Sequence, residues 1–425
     1  MKKKLALLLA LVMIVALAVP VTASAEPATE ITLWTYPVGN YGDQATVQAL
    51  TDAFTAETGI KVTVEYLTYA DGDDKVNTAI TANQAPDLIM EGPERLVSNW
   101  GANGYMVDIS DMFDDTDKSE INAAALKACF APDGAAYEYP LVMTAHCMAV
   151  NVNALEEAGV KDLVDLESHT WTVDQFKEVV KALNETYGLV GAVYCSGQGG
   201  DQGTRALAMN LFSASFTNPE HNSYTMDSEN GLKGLQLLVD LCKEGVLEYD
   251  PGIVAGDEIA LFCNSTLSMG FCWNASAAES NRAVLAEDVK VFPMAFPSDD
   301  GIPELCGGIW GFGIFDNGDA AKAEAAKTFI RFVCDDAVQG PASVYASGFF
   351  PVRASFGDIY AGTEKAANAD YAIFMPYLGD YYNVISGWAT QRTEWWNMLQ
   401  RIFAGGDVAA EVGVYIDHSN AAIGQ

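Results

Sequence analysis

Between residues 30 and 91 the hydrophobic spacing switches repeatedly between two periods, and that alternation limits the chain to one class of architecture. Ile31-Thr32-Leu33-Trp34 reads as a short strand. Val47, Leu50 and Phe54 then recur at helical spacing and stop at Gly59, a residue suited to a helix C-cap. Val62, Val64 and Tyr66 alternate as a second strand, Val76 and Ile80 mark a second helix, and Leu88-Ile89-Met90 forms a third strand. A strand–helix–strand–helix–strand order predicts a parallel sheet with helices on its faces. Right-handed crossovers bring the ends of such strands to one edge, so Trp34-Thr35-Tyr36 and the stretch from Glu91 to Arg95 should emerge side by side. That carboxyl edge is where open α/β sheets place their ligands.

The remaining chain continues in the same style. Leu141 to Val150 is an apolar run followed by Asn151-Val152-Asn153. Thr172 and Gln175 form a capping-box pair ahead of the stripe Val173, Phe176, Val180 and Leu183. Asp227 is expected to cap a helix carrying Leu232, Leu235, Val239 and Cys242, which ends at Gly245. Ala326, Phe329, Ile330 and Val333 mark a further helix, and Trp395, Leu399 and Ile402 a last long one before Gly405-Gly406. With 425 residues, half of them hydrophobic, the chain exceeds one ordinary domain. It shows no internal repeat and no long linker, so two compact lobes joined by short crossings are expected.

The first residues read as an export signal: Lys2 to Lys4 as the basic segment, Leu5 to Val19 as the apolar segment, and Ala23-Ser24-Ala25 as the cleavage site, leaving Glu26 first. Loss of those three lysines takes the formal charge from −34 to −37. Such a chain is repelled by nucleic acid and by anionic lipid. No cysteine stands at the cleavage site, so no lipid anchor is expected there; the protein should be exported, periplasmic or extracellular. The eight cysteines are scattered, mostly in apolar runs, and read as small buried hydrophobes, with one or two bridges left open.

Several segments in order carry a resemblance: EITLWTY, TGIKVTVEYL with APDLIM, YPLVMTAHCMAVNVNALEEAG, TWTVDQF, STLSMGFCWNAS, GGIWGFGIFDNGDAAKAEAAKTFIRF and GFFPVRASF. Together they resemble the extracellular solute-binding proteins of ATP-driven (ABC) importers, in the sugar-binding, maltose-binding-protein-like branch. The turn Asn151-Val152 and the carboxylate at Glu91 depart from that pattern, which commonly has Asn-Lys and an aromatic there. The resemblance implies a two-lobed α/β fold, each lobe a mainly parallel sheet flanked by helices, with the ligand in the cleft between them. It implies an N-terminal lobe of residues 26–143 and 303–345 and a C-terminal lobe of residues 144–302 and 346–425. It also implies hinge closure on a carbohydrate, an oligosaccharide by expectation, and delivery by a monomeric protein to permease subunits in the membrane.

Sugars are gripped by aromatic rings on their C–H faces and by polar side chains on their hydroxyls. Glu94 and Arg95 align with an acid–arginine pair that serves this purpose in the resembling branch, with Glu91 beside them; the alternative is a solvated helix start. Tyr36, Asn40 and Tyr41 follow the first strand as cleft candidates, while Trp34 reads equally as core. Trp273 aligns with a stacking tryptophan of the branch, and Cys272 and Trp273 should face opposite ways on a strand. Trp310 lies among glycines that admit close approach. Trp388, Arg392 and Trp395 are expected on one helix face, with Trp396 about 100° away. Thr144, Gln198 and Asp201 are candidate hydroxyl partners; His146 and Arg353 read first as structural.

An enzyme reading finds no support in local motifs: no GxSxG elbow, no HExxH and no glycine-rich phosphate loop occur. The four histidines stand singly, so no metal and no cofactor are expected. A secreted glycoside hydrolase would use paired carboxylates, which an acidic chain supplies by chance. The acidic run DISDMFDDTDKSE lacks the spacing of a calcium loop and reads as a solvated helix start. Only seven arginines occur, which favours an uncharged saccharide over glycerol phosphate or another small polar solute.

Overall fold

The computed structural model describes residues 27–196, 202–379 and 385–423. Eleven strands form within this span: β1 (Glu30–Thr35), β2 (Lys61–Tyr66), β3 (Leu88–Glu91), β4 (Tyr139–Ala145), β5 (Cys147–Asn151), β6 (Gly191–Tyr194), β7 (Leu247–Asp250), β8 (Met269–Trp273), β9 (Val291–Met294), β10 (Gly307–Ile314) and β11 (Phe350–Pro351). The first lobe is built on a six-stranded sheet of order β11-β4-β10-β3-β1-β2. The second carries a three-stranded sheet, β8-β5-β9, and a β6–β7 pair.

The expected βαβαβ unit is present, with β1 parallel to both β2 and β3. The helix Gln44–Thr58 starts on Asp43, whose carboxylate accepts from the Thr46 N–H, and ends at Gly59 in a left-handed conformation. Its Phe54 packs edge-on against Phe329, 5.0 Å away, from the helix Ala320–Cys334, which closes the core over the sheet. Thr172 and Gln175 form the predicted capping box. The cap of the helix Glu229–Lys243 is Ser228 and not Asp227, because the Ser228 hydroxyl is the group that reaches the Gly231 N–H.

Mainly parallel sheets are not what forms. Beyond β1–β3 and β6–β7, the pairings of β3–β10, β10–β4, β4–β11, β5–β8 and β5–β9 are antiparallel. The path of the chain explains this. Strand β4 leaves the first sheet at Ala145 and β10 re-enters beside it at Gly307, so β10 must run the opposite way. At this crossing the His146 N–H donates to the Cys306 carbonyl at 2.8 Å. A third segment joins them, since Leu305 bridges Leu378 and accepts from the Gly379 N–H. The first sheet therefore holds Thr144 and Ala145, and also Phe350-Pro351 through β11, beyond the limits expected for the N-terminal lobe.

Asn151 closes the second sheet's central strand. Its side-chain oxygen accepts from the Lys290 N–H and its amide donates to the Asp288 carbonyl, which ties the end of β5 to the approach to β9. Seven of the eight cysteines are buried, and Cys242 is half-buried. Among the described residues no helix is long and apolar enough to cross a membrane.

Candidate functional site

The carboxyl edge of the first sheet gathers charged and aromatic groups as the strand order requires. Glu91 ends β3, and Arg95 lies in the short turn that starts at Pro93. Tyr36 follows β1, Tyr69 follows β2, and Asp73 stands in the first turn of the helix Gly72–Thr81. Arg95 ties them together. Its Nε donates to Asp73 at 2.6 Å, one terminal nitrogen to Asp73 at 3.2 Å and the other to Glu91 at 2.8 Å. The Tyr36 hydroxyl donates to the same Asp73 carboxylate at 2.5 Å, and its ring stacks on Tyr69 at 5.2 Å. A side chain at position 72 would strike the Tyr36 ring, 2.6 Å away, so Gly72 lets the helix approach.

These bonds use three of the five guanidinium N–H groups, and aromatic rings stand around the group. The centroids of Tyr36, Tyr69 and Trp388 lie 5.0, 5.6 and 5.2 Å from it. Trp388 opens the helix Trp388–Phe403, which belongs to the second lobe: Phe403 stacks on Tyr249 of β7, and Gln400 donates to the Cys195 carbonyl at the end of β6. Arg392, one turn on, stands 4.9 Å from the same Trp388 ring. The cluster therefore spans the junction between the lobes.

Its electrostatics are governed by burial. Glu91 is 1% exposed, and burial raises its carboxyl above the ordinary range although Arg95 opposes this. Burial pushes Glu94 up to about 8, with the Glu91 charge adding and Arg95 and Arg392 opposing. Glu138, fully buried, is raised well above the usual range by burial first and by Glu94 and Glu91 after it. Burial also works to raise Asp73, but Arg95 outweighs it and the carboxyl stays low. Among the described residues, Glu94 Oε2 and both Glu138 oxygens meet no hydrogen-bond donor. A neutral carboxylic acid carries its own donor, which suits both groups to their surroundings.

A cavity of about 400 Å³ also takes its walls from both lobes, among them Lys127, Phe130, Ile309, Pro219, His221 and Leu378. A side chain at Gly92 would lie 2.8 Å from Glu94 Oε2 and 2.9 Å from the carbonyl of Ile309, one of the residues lining this cavity.

Of the expected site residues, Tyr36, Glu91, Glu94, Arg95, Trp388 and Arg392 come together. Others are placed elsewhere. Trp273 is 1% exposed, edge-on to Phe262, with its indole N–H donated to the Tyr371 hydroxyl at 2.9 Å. Cys272 is buried as well, because β8 is covered on both faces. Trp395 is core, packed on Tyr415 and Phe216, whereas Trp396 shares a face with Trp388 and Arg392 at the i, i+4 spacing. Tyr41 is buried in the turn Gly39–Gly42, which packs on the helix Gln339–Ser347; a side chain at Gly39 would strike the Ser347 carbonyl. Asn40 shares that turn and is half-buried. Trp310 has one face stacked on Phe349 at 4.9 Å and lies over Gly308. Thr144 is fully buried in β4 opposite Gly308, and Trp34 is half-buried near Lys75. Gln198 and Asp201 lie outside the described residues.

Arg353 is structural, paired with Asp117 at 2.5 Å and with Asp335, beside the Tyr139 hydroxyl. Asp117 in turn belongs to a capping box with Asp114, which accounts for the acidic run. Among the described residues no cluster of His, Cys, Asp and Glu could hold a metal ion. Sequence reasoning missed Tyr69, Asp73 and the cavity walls.

Residues 49–374 match the family described as Bacterial extracellular solute-binding protein. No curated protein matches the sequence. Among solved structures, an ABC transporter solute-binding protein from Thermotoga lettingae, bound with alpha-D-tagatose, has a TM-score of 0.73 at 17% identity, covering 93% of this chain and 100% of that one. The GacH receptor of Streptomyces glaucescens, solved unliganded and with acarbose, reaches 0.71 at 19% identity over 93% and 98%. The sugar-binding protein MalE of Xanthomonas citri reaches 0.74 at 14% identity over 93% and 97%. At these identities the likeness establishes a two-lobed fold, and the family match establishes the kinship. The chain belongs to the bacterial extracellular solute-binding proteins.

Proposed function

We propose that this protein is the extracytoplasmic solute-binding component of an ABC importer, capturing a carbohydrate between its lobes and handing it to permease subunits in the membrane. One observation carries the reading: Arg95, clamped by Asp73 and Glu91 in the first lobe, meets Trp388 and Arg392 of the second. Rings beside fixed donors and acceptors suit the two sides of a sugar, its C–H face and its hydroxyls. Tyr36, Glu94 and the adjoining cavity complete the set. Solved neighbours bound with tagatose, acarbose and cycloalternan support the same ligand class.

A phosphate ester fits less well. The Arg95 charge is already matched by the carboxylates of Asp73 and Glu91, so a dianion would find little uncommitted positive charge there. We take the crossings at Ala145–Cys147 and Glu304–Gly307, and the chain after β11, as the lobe boundaries. The mature chain would begin at Glu26 after export and act as a monomer.

A thermal-shift screen over monosaccharides, maltodextrins, acarbose, cycloalternan, glycerol phosphates and amino acids tests the reading. A ligand at a hundred times its dissociation constant stabilises the folded state by about 2.7 kcal/mol. A saccharide should raise the unfolding temperature and glycerol phosphate should not. A shift from glycerol phosphate or an amino acid with none from any saccharide would refute it, as would turnover of an oligosaccharide.

A further inference from the structure

The junction between the lobes carries an inference about the protein's resting shape. Both partners of the contact are rigidly mounted. Arg95 is held in its plane by three hydrogen bonds to Asp73 and Glu91 and is 2% exposed. Trp388 starts a helix anchored by Gln391 donating to the Tyr415 hydroxyl at 2.8 Å and by Gln400 donating to the Cys195 carbonyl at 3.0 Å. The guanidinium and indole meet directly, 5.2 Å apart, and Arg392 approaches the same ring to 4.9 Å. A guanidinium is weakly hydrated, and an indole within about 6 Å attracts it. Arg392 adds a longer-range attraction, because it faces the first-lobe carboxyl groups of Asp73 and Glu91.

We propose that Trp388 and Arg392 form a latch that holds the two lobes together through protein groups alone, so that the protein without bound solute rests largely shut. Such a latch biases the closing equilibrium before any solute arrives. A solute that prefers the shut form then binds with less of its interaction energy spent on closure, while entry waits for the latch to open. The inference does not depend on which solute is carried, so it can fail while the transport reading stands.

The test uses the intact protein with no solute added, as wild type, Trp388→Ala, Trp388→Phe and Arg392→Gln. Small-angle X-ray scattering reads the separation of the lobes, and hydrogen exchange at the Arg95 and Leu96 amides, both bonded to the Gly92 carbonyl, reads access to the junction. Trp388→Ala should enlarge the radius of gyration and speed exchange roughly thirtyfold, the ratio a single desolvated cation–π contact commands. Trp388→Phe should fall between, and Arg392→Gln should also open the molecule. Circular dichroism checks folding; if Trp388→Ala does not fold, the Phe and Gln variants carry the test. Scattering and exchange unchanged in the folded variants would overturn the proposal. So would a lowered unfolding midpoint with no change in lobe separation, or a wild-type profile that already fits only splayed lobes.

Discussion

Glu258 sits inside the helix Ala255–Cys263, fully buried, and its carboxylate accepts from the Phe271 and Cys272 N–H groups of β8. Burial pushes it up to about 8 despite those bonds. The folded state therefore holds a proton that the unfolded chain releases above its ordinary value of 4.5. Stability contributed by that proton is fully present at low pH and is lost as pH rises towards about 8. The slope is about 1.4 kcal/mol per pH unit for one such group. Glu258→Gln should remove about one proton's worth of slope from urea unfolding followed across this window, leaving the part due to Glu94 and Glu138; an unaltered slope would contradict the assignment. At Trp273 the structure makes a different demand. Its ring fills core between Phe262 and Tyr371, so Trp273→Ala should cost about 3–5 kcal/mol in unfolding free energy. A loss below about 1 kcal/mol would return the ring to the cleft. The sequence could not settle this, because a tryptophan at the end of a strand looks alike whether one face or both faces of the sheet are covered. The positions of Glu91 and Arg95, in contrast, followed from strand order alone. The same rule applied to β2 points to Tyr69 and Asp73, which stand in the YADGDD segment after that strand.

At the scale of elements, β10 is the part that sequence pattern misjudged. Its run GGIWGFGI has the look of one more buried parallel strand, and only the return path from the second lobe makes it antiparallel between β3 and β4. Its glycines explain how it is inserted. A side chain at Gly311 would lie 2.0 Å from the Tyr139 carbonyl and 2.7 Å from Pro140 Cα, at the irregularity in the β10–β4 register. Gly311→Ala should therefore destabilise by about 1–3 kcal/mol. Gly256, in the helix Ala255–Cys263, has open space around it, and Gly256→Ala should instead stabilise by about 0.5–1 kcal/mol. Paired urea melts check both signs, and the same sign for the two would show that β10 is not so tightly seated. The helices were legible where caps and stripes agreed, as at Thr172 and Gly59. The helix Trp388–Phe403 is followed by a further one, Val408–Ala421, and its face of Trp388, Arg392 and Trp396 is offset by one residue from the expected one, since Trp395 and Trp396 differ only by rotation about the axis and the sequence does not show which side meets Tyr415.

For the whole molecule, three chain segments lie side by side where the lobes meet, around His146, Leu305 and Leu378. Short paired crossings of this kind leave each lobe rigid and concentrate motion in a few backbone dihedrals. Two lobes were foreseeable from the length of the chain and its two α/β stretches, but the order in which strands from distant parts of the chain join the first sheet was not. Long-range pairing leaves no local signal. The same holds for the junction itself, where Arg95 and Trp388 are brought together by the fold alone. Calorimetric titration of the intact protein with the saccharide giving the largest thermal shift, in wild type and Arg95→Lys, tests the central claim most directly. The account predicts saturable one-to-one binding to the wild type and a loss of affinity of about tenfold or more in the variant, because lysine cannot hold Asp73 and Glu91 together while facing the rings. Equal affinity in the two proteins, or no saccharide binding at all, would contradict it.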